Sequence, residues 1–148
     1  MLDIACGGGR HSHFLLAKGY EAVAVDRDMS SMQPYAGTEG LSVLEADLEK
    51  DAWPFAGHLF AGIVVVNYLW RPLFPDLLAS LAPAGILIYD TFAVGNEKFG
   101  RPRNPDFLLQ PNELKDLCKG LEIVDYTHGE TKLPPALRQS IVARRLML

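Results

Sequence analysis

The chain opens on an apolar strand that runs straight into three glycines, Leu2-Asp3-Ile4-Ala5-Cys6-Gly7-Gly8-Gly9-Arg10. Such a strand turns sharply, because glycine takes positive φ without steric penalty and lets a ligand meet the backbone with no Cβ in the way. A second apolar strand, Ala22 to Val25, ends on Asp26 about 20 residues further on, where a βαβ unit delivers an acid to ribose hydroxyls. That layout is an adenosine-cofactor site, and which cofactor it takes decides the chemistry.

Three details separate the candidates. A dinucleotide site wants G-x-G-x-x-G, with the third glycine bringing helix and strand close beneath a pyrophosphate; here Ser12 stands in that place. Asp3, inside the first strand, would repel a pyrophosphate and could hold an ammonium. Asp47 closes another apolar strand, Leu41 to Ala46, and brings a further acid to the same sheet edge, where the adenine amine can donate to it. The pattern asks for an adenosine carrying a cationic amino acid and no phosphate.

The remaining periodicity alternates. A helix is expected from Arg10 to Lys18, broken at Gly19, then a short helical stretch through Met32 ended by Pro34. Gly62-Ile63-Val64-Val65-Val66 is continuously apolar and β-branched, the signature of a parallel strand in mid-sheet. A helix over Phe74–Leu81 stops at Pro83-Ala84-Gly85, and a strand over Ile86–Tyr89 follows. A helix near Asn112–Cys118 and strands at Leu121–Tyr126 and Ile141–Leu146 end the chain. Parallel βαβ units make this a doubly wound α/β fold, and the last two strands, with no helix between them, are expected to form an antiparallel edge hairpin.

With 148 residues and 49% hydrophobic content, the chain reads as one domain over 1–148. A net charge of −4 argues against a nucleic-acid binder, whose phosphate contacts need a basic face. The basic run Arg138 to Arg145 reads as an edge strand whose solvated arginines discourage sheet pairing. Cys6 and Cys118 lie far apart without C-x-x-C spacing, and His11 and His13 fall on different helix faces, so no metal site is expected. No apolar run reaches the roughly 18 residues of a membrane span, and the expected location is cytoplasmic.

Leu2 to Arg10, Ala24-Val25-Asp26-Arg27-Asp28 and Glu45-Ala46-Asp47-Leu48 together resemble the first three motifs of the class I S-adenosylmethionine-dependent methyltransferases. Asn67-Tyr68-Leu69 stands at that class's post-strand-four contact, and Gly85 to Phe92 is similar to its fifth strand. The run from Arg71-Pro72-Leu73 to Phe99-Gly100-Arg101-Pro102 is similar to small bacterial proteins of the tellurite-resistance-methyltransferase type. The resemblance implies a mostly parallel, seven-stranded Rossmann-like sheet and S-adenosylmethionine as cofactor. It implies that Gly7 and Gly9 border the methionine part, Asp3 answers its ammonium, and Asp26 takes the ribose hydroxyls, with Cys6 and Arg27 also among the cofactor-binding residues. Asp47 and Leu48 would take the adenine, and Asn67 and Tyr68 would border the sulfonium, with Trp70 and Phe92 behind Tyr68. Members of the class commonly place cap helices before the first strand; here that strand begins the sequence, so such a cap is expected to be absent.

Methyl displacement from a sulfonium gains mainly from positioning, so a base is optional; His11 and Tyr68 are the candidates. The irregular stretch between Phe92 and Pro111 starts at the active edge and reads as a substrate lid carrying Phe99, Arg101 and Arg103, in which the two arginines favour an anionic acceptor. The expected partner is a small-molecule acceptor, with no nucleic acid and no membrane. Two other functions fit the same fold: an NAD(P)-dependent oxidoreductase, disfavoured by Ser12, Asp3 and Asp47, and a non-catalytic S-adenosylmethionine-binding protein.

Overall fold

The computed structural model describes residues 1–147. Seven strands form one sheet: β1 (Leu2–Ile4), β2 (Ala22–Asp26), β3 (Leu41–Glu45), β4 (Phe60–Val66), β5 (Leu81–Phe92), β6 (Glu122–Lys132) and β7 (Pro135–Arg144). Their order is β3-β2-β1-β4-β5-β7-β6; β1 to β5 pair in parallel, and β7 is antiparallel to both β5 and β6. The β-branched run around Val64 is thus the middle strand of the sheet. Strand order reverses between β1 and β4, the place where open α/β sheets bind ligands.

The two faces are covered unequally. On one, Leu2, Ile4, Ile63, Val65, Leu87 and Ile141 are fully buried beneath α2 (Phe74–Ala79) and α3 (Glu113–Leu117). Each such side chain contributes about 1.5–3 kcal/mol of burial. Phe74 stacks on Tyr89 with ring centroids 5.0 Å apart, fixing α2 on β5. On the other face α1 (Arg10–Ala17) sets Leu15 against Ala22, Ala24 and Leu41 of β2 and β3. Val64, Val66 and Ile88, on β4 and β5, instead floor an open hollow.

Several elements differ from expectation. β1 stops at Ile4 because Ala5 already has φ +51°. Pro34 does not end a helix; it sits in the first turn of a 3-10 segment, Gln33–Tyr35, where its missing N–H goes unused. α2 closes at Ala79, and Ser80 accepts from the Trp53 indole at 3.0 Å. β5 begins earlier than expected, at Leu81, with the register shifting between the pairs Phe60–Leu81 and Gly62–Ile86. The terminal hairpin is much longer than periodicity indicated, because β6 is an exposed edge strand that buries no apolar face. β7 lies inside the sheet, so the run from Arg138 is not a solvated edge: Arg138 pairs with Asp90 and Arg144 with Glu122.

The segment after β5 is anchored rather than loose. Ala93 bridges Leu109, and buried Asn96 donates to the Pro102 carbonyl and accepts from the Leu137 amide. Arg71 donates to the Asp106 and Leu108 carbonyls at 2.9 Å each and pairs with Glu113. No helix among the described residues is long and apolar enough to cross a membrane.

Candidate active site

The glycine turn owes its shape to Gly7 at φ +54° and Gly9 at φ +79°; a Cβ on Gly9 would strike the buried Met32 thioether. Gly8 takes no such conformation and faces open space. Two carboxylates brace the turn. Asp26 Oδ2 accepts from the Gly7 amide at 2.9 Å and Oδ1 from the Asp28 amide at 3.1 Å, and each oxygen keeps a further lone pair for a ligand hydroxyl. Asp3 is 1% exposed, and its Oδ2 accepts from the Ser12 amide at 3.0 Å and the Ser12 hydroxyl at 2.7 Å. Burial raises its pKa, with the Ser12 hydrogen bonds opposing that shift. Through Oδ2 the carboxylate ties β1 to the first turn of α1, and Asp3 is not among the residues lining the cavity beyond the strand ends.

A cavity of about 460 Å³ lies beyond the carboxyl ends of β1 to β4. Six residues singled out in the sequence line it: Asp26, Arg27, Asp47, Leu48, Asn67 and Tyr68. Asp47 Oδ1 accepts from the Glu49 amide at 3.0 Å, and Oδ2 stands 3.9 Å from Lys50, leaving the carboxylate partly open. Cys6, Gly7 and Gly9 are not among the residues lining the cavity, whereas Ala5, just before them, is. The Cys6 thiol is 3.9 Å from the Met29 sulfur, and burial pushes its pKa up to about 12. Glu49, two residues after Asp47, also lines the cavity, as do Thr91 on β5 and Pro102 and Phe107 in the segment read as a lid; none of these four is singled out as a cleft wall by the sequence. Asp26, Asp47 and Glu49 face a single cation, Arg27, so the cleft is acidic.

Asn67, at φ +58°, turns the chain at the end of β4, and its amide donates to the Asp90 carbonyl at 2.9 Å. Arg138 holds this corner: Nε donates to Asp90 Oδ1 at 2.7 Å, Nη2 donates to Asn67 Oδ1 at 2.6 Å, and the guanidinium lies 4.5 Å from the Phe92 ring centre. Nothing local in the sequence pairs Arg138 with Asn67. The Tyr68 backbone is fixed by the Tyr89 hydroxyl, which donates to its carbonyl at 2.7 Å. Burial, with Glu49 and Asp47 nearby, raises the Tyr68 phenol above its ordinary value, which disqualifies it as a base near neutral pH. His11 does not reach the cleft.

Instead His11 borders a second hollow of about 770 Å³ on the open face of β4, β5 and β7. Phe99 and Arg101 line this hollow, whereas Arg103 lines neither it nor the cleft; Pro102, between them in sequence, faces the cleft. The segment read as a lid is thus the wall dividing two sites, and of its three named residues Arg103 faces away from both. Asn67 and Phe92 border both spaces.

Solved structures share this architecture. The N-methyltransferase NodS of Bradyrhizobium japonicum aligns over 98% of this chain and 84% of its own, with TM-score 0.75 and 17% identity. TehB of Haemophilus influenzae aligns over 97% of this chain with TM-score 0.74 and 18% identity, and the chain spans 57% of that protein. A 1,6-didemethyltoxoflavin-N1-methyltransferase of Burkholderia thailandensis, solved with its substrate and S-adenosylhomocysteine, aligns over 98% of this chain and 70% of its own, with TM-score 0.75 and 18% identity. No curated protein sequence matches the chain. The sequence profile of "Tellurite resistance protein TehB" matches residues 1–135. The chain belongs to the TehB tellurite resistance protein family and has the fold of the S-adenosylmethionine-dependent methyltransferases.

Proposed function

We propose that the chain binds S-adenosylmethionine in the 460 Å³ cleft and transfers its methyl group to a small-molecule acceptor. The observation that carries this reading is the lining of the cleft: three carboxylates against one arginine, with Asp26 ending β2 and Asp47 two residues beyond the end of the neighbouring β3. Such a lining repels the pyrophosphate of a nicotinamide dinucleotide and suits a cationic sulfonium carrying an adenosine. Its volume lies in the range of small-ligand sites, about 300–1,000 Å³.

When bound, the sulfonium supplies a methyl carbon attached to a good leaving group. Asp26 would accept the ribose hydroxyls and Asp47 the adenine amine, while the backbone around Asn67, fixed by Arg138 and Asp90, sets the position of the reacting end. The chemistry so supplied would be displacement, with the acceptor's lone pair taking the methyl carbon and the carbon–sulfur pair returning to sulfur as a neutral thioether. Among the residues lining the cleft Tyr68 is raised and unsuited to remove a proton near neutral pH, while His11 borders the neighbouring hollow. An acceptor whose nucleophilic atom is already deprotonated, such as a thiolate or another soft chalcogen, needs no base from the cleft. The test is incubation with S-adenosylmethionine and a low-molecular-weight cell extract, measuring S-adenosylhomocysteine formed. Release above the protein-free rate is expected; none with any extract fraction would overturn the catalytic reading and leave a binding protein.

A further inference from the structure

We infer that the 770 Å³ hollow beside the cleft takes an amphipathic organic anion, with an apolar body and an acidic head, as the methyl acceptor. This rests on the methyl-transfer reading above and goes further by assigning the acceptor's chemical class and seat. The floor is sheet: Val64 and Val66 of β4 and Ile88 of β5, the last 37% exposed, with Phe14 of α1 at one side, itself 59% exposed. A hydrated inorganic ion gains nothing from such a surface, whereas an apolar ring or chain laid on it is removed from water.

The charge points the same way. Three guanidiniums border the hollow, Arg10, Arg101 and Arg138, against one carboxylate, Asp90. Arg138 already neutralises Asp90 at 2.7 Å. Among the described residues Arg10 and Arg101 have no carboxylate within salt-bridge distance, and the side-chain hydrogen-bond contact of Arg10 is with the His11 ring, at 3.4 Å. Two rim cations over an apolar floor fit a ligand with an anionic head and an apolar body. The acidic cleft and the basic hollow meet at Asn67 and Phe92, so a cationic methyl donor and an anionic acceptor would approach each other across that border.

The experiment uses 1-naphthaleneacetate, its neutral amide 1-naphthaleneacetamide, and inorganic sulfate as probes, titrated calorimetrically with and without S-adenosylhomocysteine. The carboxylate is expected to bind at least tenfold more tightly than either comparison probe. Methyl resonances of Val64, Val66 and Ile88 should shift on its addition. Arg10→Glu with Arg101→Glu should weaken the carboxylate at least tenfold while leaving S-adenosylhomocysteine affinity within twofold. Equal binding of the amide or of sulfate would overturn the inference, as would no binding of any probe. Concentration-dependent self-association that blocks the probe would overturn it in favour of a second copy of the chain. Probe binding without S-adenosylhomocysteine binding would leave the hollow standing and sink the cofactor reading; the reverse would sink the hollow alone.

Discussion

Arg138 reaches from β7 across the active edge to Asn67, Nη2 to Oδ1 at 2.6 Å, while its Nε holds Asp90 at 2.7 Å. One guanidinium thus joins the antiparallel half of the sheet to the turn where strand order reverses. Removing it leaves the half-buried Asp90 carboxylate and the left-handed Asn67 without their shared partner. Arg138→Gln is expected to lower stability by about 1–3 kcal/mol, the range for charged hydrogen bonds lost at a partly buried site. S-adenosylhomocysteine affinity should fall several-fold, and Arg138→Lys should recover stability better than affinity, since an ammonium cannot hold both partners in the fork geometry. Urea unfolding and calorimetry on the two variants check this.

The glycine turn makes a paired prediction. Gly9 combines φ +79° with the Met32 side chain where a Cβ would stand, whereas Gly8 has neither constraint. Gly9→Ala should destabilise by about 1–3 kcal/mol, and Gly8→Ala should stay within about 0.5 kcal/mol of the parent. Chemical unfolding of both measures the contrast directly.

Asp3 should leave a signature in the pH dependence of stability. Burial raises its pKa in the folded state, so between the ordinary aspartate value and that raised value the folded chain binds a proton more tightly than the unfolded one. Its contribution is therefore most favourable below the ordinary value and declines as pH rises through the folded one. Asp3→Asn keeps an acceptor for Ser12 and cannot ionise. The stability of Asn relative to Asp at this position should become more favourable as pH rises from about 4 toward neutrality. Unfolding curves at several pH values read the slope of that difference.

Tyr68 is expected to matter as a wall and not as a base. Its phenol is raised by burial and by Glu49 and Asp47, so Tyr68→Phe should keep S-adenosylhomocysteine affinity and methyl transfer within about threefold and leave the pH profile unchanged. Steady-state rates of S-adenosylhomocysteine release across pH test it.

What the sequence disclosed depended on how local the cause was. The turn at Gly7 and Gly9, the mid-sheet strand around Val64 and the acids at Asp26 and Asp47 are written in contiguous residues, and the fold uses them in those places. The hairpin extension carries no periodicity, because β6 is exposed along nearly its whole length. The tie between Asp3 and Ser12 is not legible at Asp3 itself, because an acid in a strand reads alike whether it faces a ligand or a helix amide. Arg138 looked like a solvated basic residue because its partners, Asp90 and Asn67, are 48 and 71 residues away. His11 was drawn toward the cofactor by its nearness to the glycines, but it points to the hollow on the open face.

The measurement that bears most directly on the central claim is calorimetric titration of the chain with S-adenosylhomocysteine beside NAD, repeated on Asp47→Ala. The acid-lined cleft predicts micromolar binding of S-adenosylhomocysteine alone, weakened at least tenfold in the variant. Binding of NAD in preference, or of neither ligand, would contradict it.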